Sequence, residues 1–461
     1  MSGLVRTLSI GLIGLAVGLG IFVSFTPHAA LALTDEEKAR LRVEYDQLQQ
    51  EIAQWQTVLD DTRAKKNSLQ GDVTALNAQI AKATAEIKQR SNTIAQLASD
   101  INEKNKKILT LEEKIEQGQQ SLAKLLRQKH ENETQSLVVM ALSSQDLSAF
   151  FSDISNIDSI NRDLQSLFNE LRAAKGETEL EKKALDEKRN QEQDAKHDVE
   201  VKKTEVAKAQ TEKKELLTAT QQQEKTYAQV LAERQQKAEA IRSALFDLRD
   251  TSGISFGTAL DYAEAASAKT GVRPSFILAI LSQESDLGKN IGSCYVSNLD
   301  TGDGVGKNTG SAYERVMKAP RDTVPFQQIT ASVGLTWSTT PVSCPLGKTY
   351  TSSRGYGGAM GPSQFIPSTW ALFAPRIAAA RGVATPNPWD PKDAIMATAI
   401  YLSDLGAGLQ TYSAERNAAC KYYSGRACDS KTPTNYTYGN QVVAKADTFQ
   451  QNIDFLKNAA Q

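Results

Sequence analysis

The chain contains very little histidine. Its 461 residues include three histidines, the last of which is His197. The C-terminal half therefore has no Ser/His or Cys/His nucleophilic pair and no histidine-ligated zinc site. Glutamate is also scarce there. A carboxylate mechanism after position 250 must use the aspartates or one of four glutamates: Glu264, Glu284, Glu314 and Glu415.

Proline is absent from residues 34–250, and glycine is rare in them, whereas lysine, glutamate, glutamine and alanine are abundant. The formal net charge of -1 gives no reason to expect nucleic acid as a partner. The change in composition divides the chain into an N-terminal segment (1–33), a helical region (34–250) and a globular domain (251–461). We expect a mainly α fold.

The N-terminal segment has the pattern of an export signal. Arg6 precedes an apolar run from Leu8 to Phe25, and Ala30-Leu31-Ala32 is a small-x-small cleavage pattern. The run is also close to the length of a spanning helix. The segment is thus either a cleaved signal peptide or a membrane anchor, and we expect membrane contact only through residues 1–33. The rest of the chain is predicted to lie outside the cytoplasm, in the cell envelope.

All four cysteines lie in the globular domain, which agrees with export. Three pairings are open to them. We favour Cys294–Cys344 and Cys420–Cys428, because each pair would close its own loop. No Cys-x-x-Cys spacing indicates zinc.

The helical region has a heptad pattern. Apolar residues step by four and three from Leu41 to Leu125, which is typical of a left-handed coiled coil. A second arm, from Ile160 to Leu248, has a weaker seam. We predict that the two arms form a long antiparallel intrachain hairpin, with a parallel homodimer as the alternative.

Between the arms the heptads break, and residues 137–157 are predicted to form short helices near the bend. This apolar stretch is either a partner site or a self-packed bend. Residues 142–151 read Leu-Ser-Ser-Gln-Asp-Leu-Ser-Ala-Phe-Phe. They resemble a stretch in the PcsB-like and EnvC-like coiled coils of exported peptidoglycan hydrolase regulators. The resemblance implies that residues 137–157 bind an FtsX-like permease at sites of cell division.

Glu284 is the outstanding residue of the globular domain. It ends an apolar helical run that starts at Phe276. Burial disfavours the charged form of a carboxyl group, so such a group can remain protonated and donate a proton. Cleavage of a glycosidic bond needs such an acid. A buried, ion-paired structural glutamate is the alternative.

Residues 358–368 read Gly-Ala-Met-Gly-Pro-Ser-Gln-Phe-Ile-Pro-Ser, and residues 389–395 read Trp-Asp-Pro-Lys-Asp-Ala-Ile. Asp390 before Pro391 is the pattern of a helix N-cap. Tyr422-Tyr423-Ser424 and Tyr438-Gly439-x-x-Val442 follow. In this order the motifs resemble those of lytic transglycosylases of the membrane-bound B type. Two positions depart from the family pattern: Gly355 replaces a serine and Tyr423 an asparagine.

The resemblance implies a lysozyme-like, mostly helical domain with Glu284 as its single catalytic residue. Some members of the family carry a calcium loop just before the Trp-Asp-Pro motif, but residues 382–388 contain no carboxylate, so we expect no metal there. No cofactor is expected. Gln364 has a donor and an acceptor for sugar groups, and aromatic rings can stack on pyranose faces or pack in the core. We expect Trp370 in the core. The predicted substrate-binding residues are Ser285, Tyr356, Met360, Gln364, Phe365, Tyr422 and Tyr423.

The expected function is that of an exported peptidoglycan lytic transglycosylase that cleaves between N-acetylmuramic acid and N-acetylglucosamine and forms a 1,6-anhydro product. The coiled coil would position or regulate the enzyme. Two alternatives stay open, a hydrolytic muramidase and a catalytically inactive coiled-coil scaffold.

Overall fold

A computed structural model describes residues 69–133, 147–221, 253–346, 355–429 and 434–459, together with the single positions 229, 232, 236 and 431. The predicted export segment, the first heptads and residues 137–146 of the predicted permease-binding stretch lie outside these residues. In the described part of the chain, no helix is both long enough and apolar enough to span a bilayer.

Two long helices, α1 (Leu69–Glu133) and α2 (Leu147–Gln221), pack against each other. Their ion pairs show the direction. Lys107 meets Glu181 at 2.8 Å, and Arg90 meets Asp198 at 3.2 Å. Arg90 comes before Lys107 in α1, but its partner Asp198 comes after Glu181 in α2, so the two helices run antiparallel. The predicted intrachain hairpin is confirmed.

The seam of the hairpin buries apolar residues from both arms, including Leu97 and Leu111 of α1 and Leu164 and Leu185 of α2. It also buries small and polar residues such as Thr178, which agrees with the weaker heptads of the second arm. One expectation differs from the structure. Residues 147–157 are the first turns of the continuous helix α2, not a separate short helix.

The globular domain is mostly helical. Its helices are α3 (Phe256–Thr270), α4 (Pro274–Ser285), α5 (Thr323–Ser332), α6 (Pro367–Arg381), α7 (Pro391–Asp404), α8 (Tyr412–Ser424) and α9 (Tyr436–Ala459), with 3-10 turns at Trp337–Thr339 and Ala407–Leu409. A small antiparallel sheet contains β1 (Cys294–Val296), β2 (Gly304–Gly306) and β3 (Ala312–Tyr313).

Helix α4 is the centre of the domain. Every side chain from Phe276 to Leu281 is fully buried, and α3, α7 and α9 pack around it. A helix that is apolar on all sides is expected in such a position. Trp370 of α6 is also buried, as predicted.

The ends of these helices follow local sequence signals. The side chain of Asp390 accepts hydrogen bonds from the backbone N–H groups of Lys392 and Asp393, which confirms the predicted N-cap of α7. Both favoured disulfides, Cys294–Cys344 and Cys420–Cys428, are present. The second links α8 to the chain before α9. Gly439 lies so close to it that an added Cβ would be 2.5 Å from the sulfur of Cys420.

Candidate active site

Helix α4 ends at the candidate catalytic residue. Glu284 occupies its last turn, and the next residue, Ser285, is the last of the helix. The chain then turns sharply, because Asp286 and Leu287 both have left-handed backbone conformations, with φ of 51° and 53°. Non-glycine residues in this region are strained, and such strain is concentrated at functional sites. Glu284 thus lies at the C-terminal end of the buried apolar helix α4, and its own side chain is partly buried.

The phenol of Tyr438, in the first turn of α9, donates a short hydrogen bond to Oε1 of Glu284. Burial raises the pKa of Glu284 above its ordinary value, and this hydrogen bond opposes the rise because it favours the carboxylate. A carboxyl group in this balance keeps its proton to a higher pH than an exposed glutamate does, and the hydrogen bond stabilises the carboxylate once the proton has been given up.

Ser285 joins α4 to the loop that carries the Gly-Ala-Met-Gly motif. Its hydroxyl donates to the carbonyl of Pro362 at 2.6 Å and accepts from the N–H of Gly288 at 2.9 Å. The loop is tight. Gly361 has φ of 59°, and an added Cβ would lie 2.0 Å from the carbonyl oxygen of Pro388. Only glycine fits there without a shift of the backbone. Ser285 is buried, and its hydrogen bond to Pro362 holds the loop against the end of α4.

Met360 and Phe365 flank the turn of this loop, where their backbones form an antiparallel bridge. Both side chains are buried, at 1% and 4% exposure. Between them, Gln364 has a positive φ of 53° and donates its side-chain amide to the carbonyl of Gly361 at 2.8 Å. The structure thus places the side chains of Met360 and Phe365 in the core, and Gln364 remains partly exposed beside them.

An aromatic cluster lies behind the loop. The ring of Phe365 makes edge contacts with Trp370, Phe373 and Tyr422 at centroid distances of 6.0 Å. The hydroxyl of Tyr422 donates to the carbonyl of Ser363 at 2.7 Å. Burial, and then the nearby charge of Glu284, raise the pKa of Tyr422 well above its ordinary value. Tyr422 consequently remains a neutral hydrogen-bond donor close to the acid.

Tyr423 projects on the exposed side of α8, where its ring stacks on that of Tyr438 at 4.8 Å. Burial and the charge of Glu284 raise the pKa of Tyr438 well above its ordinary value. Tyr438 was not predicted as a site residue, although its motif is present in the sequence. Tyr423, which departs from the family pattern, therefore packs against Tyr438, the residue that bonds Glu284.

Tyr356 belongs to different surroundings. Its hydroxyl accepts a hydrogen bond from Arg315 at 3.3 Å, and the cations of Arg315 and Lys318 each lie 5.9 Å from its ring. These contacts place Tyr356 beside a basic pair. Tyr438 connects Glu284 with Tyr423. Ser285 and Tyr422 both bond to backbone carbonyls of the motif loop, which also contains Gln364.

The other buried glutamate of the domain is at the opposite end of α4. Glu415 is fully buried, and Arg273, the residue before α4, binds both of its carboxylate oxygens at 2.6 and 2.7 Å. Burial raises the pKa of Glu415, and the charge of Arg273 opposes that rise. Glu415 fits the structural, ion-paired role, whereas Glu284 does not.

One of three comparisons with known proteins found a match. Residues 193–415 match the family model of the transglycosylase SLT domain. The match includes Glu284 and the motif loop. It begins inside α2, upstream of the expected domain boundary at 251, and it ends before Tyr422, Tyr423 and Tyr438. No curated protein and no solved structure matched the chain.

The fold is therefore that of a lysozyme-like, mostly helical domain. Residues 193–415 are thus similar to the SLT-type transglycosylase domain, and this similarity supports a peptidoglycan-cleaving function outside the cytoplasm.

Proposed function

We propose that the protein is a peptidoglycan lytic transglycosylase in which Glu284 is the only catalytic acid and base. The observation that carries the proposal is the partly buried Glu284 at the end of α4, bonded by Tyr438 within a domain that matches the transglycosylase family model.

In the proposed reaction, Glu284 protonates the oxygen that leaves C1 of N-acetylmuramic acid. The resulting carboxylate is stabilised by the Tyr438 hydroxyl and then takes the proton of the sugar's own C6 hydroxyl. The C6 oxygen attacks C1 and closes a 1,6-anhydro ring. An intramolecular nucleophile has a high effective concentration, so no activated water is needed.

The mass of the product tests this proposal. Purified glycan strands treated with the full chain should release fragments that end in the anhydro sugar and are lighter by one water than hydrolysis products. Glu284→Gln, which keeps the shape and removes the transferable proton, should abolish release. Glu264→Gln on α3 is the matched control and should cleave as the wild type does. Fragments that all carry the added water would identify a hydrolytic muramidase, and no cleavage by the wild type would identify an inactive scaffold.

The cellular setting extends the proposal. The sequence pattern of residues 1–33 supports export, with or without a retained anchor, and the likeness of residues 142–151 to hydrolase regulators supports an FtsX-like permease as the partner of residues 137–157. Cross-linking of the intact chain in cells, from positions in 137–157, tests this. Recovery of no membrane protein from those positions would contradict the permease assignment.

A further inference from the structure

The coiled coil contacts the globular domain through Asp194 of α2. Its Oδ1 accepts a hydrogen bond from the backbone N–H of Ser413 at 2.6 Å, and its Oδ2 accepts one from the Ser413 hydroxyl at 2.9 Å. Ser413 lies in the first turn of α8. The N–H groups of a first turn lack partners within their own helix, and a negative charge there is favourable. Asp194 therefore caps a helix of the enzyme domain from outside it.

Further contacts continue along the same side of α2. The ring of His197 stacks on that of Tyr412 at 4.3 Å, and its Nε2 lies 3.6 Å from Oδ2 of Asp447 in α9. Lys208 donates to the side chain of Gln451, also in α9, at 3.0 Å. These contacts extend over about 21 Å of α2 at the normal helical rise. The coiled coil is thus docked on α8 and α9.

The docking face reaches the buried end of α4 as well. Asp447, the partner of His197, lies 3.5 Å from Arg273, which holds Glu415 in front of α4. Docking therefore involves the three helices that carry Glu284, Tyr422 and Tyr438. Along its helix, each of these active-site residues lies about 14 to 17 Å from the residue at the docking face, which is Arg273, Ser413 or Asp447. The contacts are remote from the carboxyl group, so they act on the helices and not directly on the acid.

We propose that docked α2 is a brace for the active site, and that Asp194 and His197 are positioning residues on which cleavage by the full chain depends. The inference rests on the proposed function. Its physical basis is that catalytic groups on three separate helices must meet within a fraction of an ångström, since a misplacement of about 1 Å can cost a hundredfold in rate. Asp194 and the Arg273–Asp447–His197 contacts set the relative position of those helices.

The test uses four variants of the full chain, one of which is the double variant Asp194→Ala with His197→Ala. Asp194→Ala removes the cap, and Asp194→Asn keeps a side-chain oxygen that can accept from the Ser413 N–H. Asp198→Ala is the matched control, because Asp198 lies one turn along α2 and pairs with Arg90 of the other arm instead of the enzyme domain. Three quantities are measured for each variant: kcat for glycan cleavage, KM for glycan cleavage, and the rate of amide hydrogen exchange in residues 411–416.

In Asp194→Ala, exchange of the Ser413 amide should be about tenfold faster and kcat about tenfold lower, with little change in KM. Asp194→Asn should restore both quantities, and Asp198→Ala should match the wild type. A purely local structural role would speed exchange but would not lower kcat selectively.

The proposal is overturned if Asp194→Ala speeds exchange while kcat stays at or above the wild-type value. It is also overturned if exchange is unchanged in both Asp194→Ala and the double variant with His197→Ala, because α2 would then not be docked. A wild-type chain that fails to cleave glycan would refute the proposed function instead, and the exchange measurement would still show whether α2 docks.

Discussion

Replacement of Tyr438 by phenylalanine removes the only hydrogen-bond donor described for the carboxyl group of Glu284. The change removes one hydroxyl group and keeps the ring that stacks on Tyr423. The hydrogen bond favours the ionised form of Glu284, and burial favours the protonated form. Without the hydroxyl, burial acts alone, so the pKa of Glu284 rises further above its ordinary value.

The expected loss of rate depends on whether the hydrogen bond is stronger in the transition state than in the ground state. Glu284 gains negative charge as it passes its proton to the leaving oxygen, so the Tyr438 hydroxyl stabilises the transition state more than the ground state. A hydrogen bond to a charged group contributes about 1.5–3 kcal/mol. At about 1.4 kcal/mol for each factor of ten, Tyr438→Phe should lower kcat by about ten- to hundredfold.

The assay is the dependence of glycan cleavage on pH. The first step needs protonated Glu284, so activity falls as pH rises through the pKa of that group. Since Tyr438→Phe raises this pKa, the alkaline fall in activity should move to higher pH while the maximum rate drops. Tyr436→Phe, at an exposed tyrosine of the same helix, is the control and should change neither. An unchanged rate, or an alkaline fall that moves to lower pH, would refute the reasoning.

Four further predictions concern the acid, the core ion pair, the loop and the disulfides. Because burial raises the folded-state pKa of Glu284, its ionisation costs stability above that pKa and costs nothing below the unfolded-state pKa. Glu284→Gln should therefore raise Tm more at pH 8 than at pH 4, and an equal effect at both would contradict this. Glu415→Ala removes the carboxylate that binds Arg273 with two hydrogen bonds and leaves only Asp447 near it, so the change should cost about 3–5 kcal/mol in urea unfolding, against a smaller loss for Glu415→Gln. A loss of less than about 1 kcal/mol would show that the pair is unimportant. Gln364→Ala should lower turnover by about ten- to hundredfold, and an unchanged rate on polymeric peptidoglycan would remove Gln364 from the site. In exported protein, thiol alkylation without reduction should add no label, and a mass increase for all four cysteines would reject the disulfides.

Several features could be read from local sequence, because they depend on neighbouring residues. The heptads of α1 specify a helix with one apolar seam, and Asp390-Pro391 specifies the start of α7. The apolar run before Glu284 specifies a buried helix that ends on an acid. The short loop between Cys420 and Cys428 favours their pairing.

Other expectations depended on which way a side chain faces, and the sequence did not show that. Phe365 and Met360 occur in a motif that predicts substrate contact, yet the bridge between their backbones turns both side chains into the core. Tyr356 meets Arg315 and Lys318 because β3 and the following turn lie beside it. Residues 147–157 form the first turns of α2, because a break in the heptad pattern does not by itself end a helix.

Tertiary structure alone brought together the groups that surround the acid and support it. Tyr438 follows Glu284 by 154 positions, and Asp194 precedes Ser413 by 219. No periodicity or local motif relates residues so far apart. Their contacts arise because α2, α4, α8 and α9 bury different faces against one another, and the packing of whole helices determines which side chains meet.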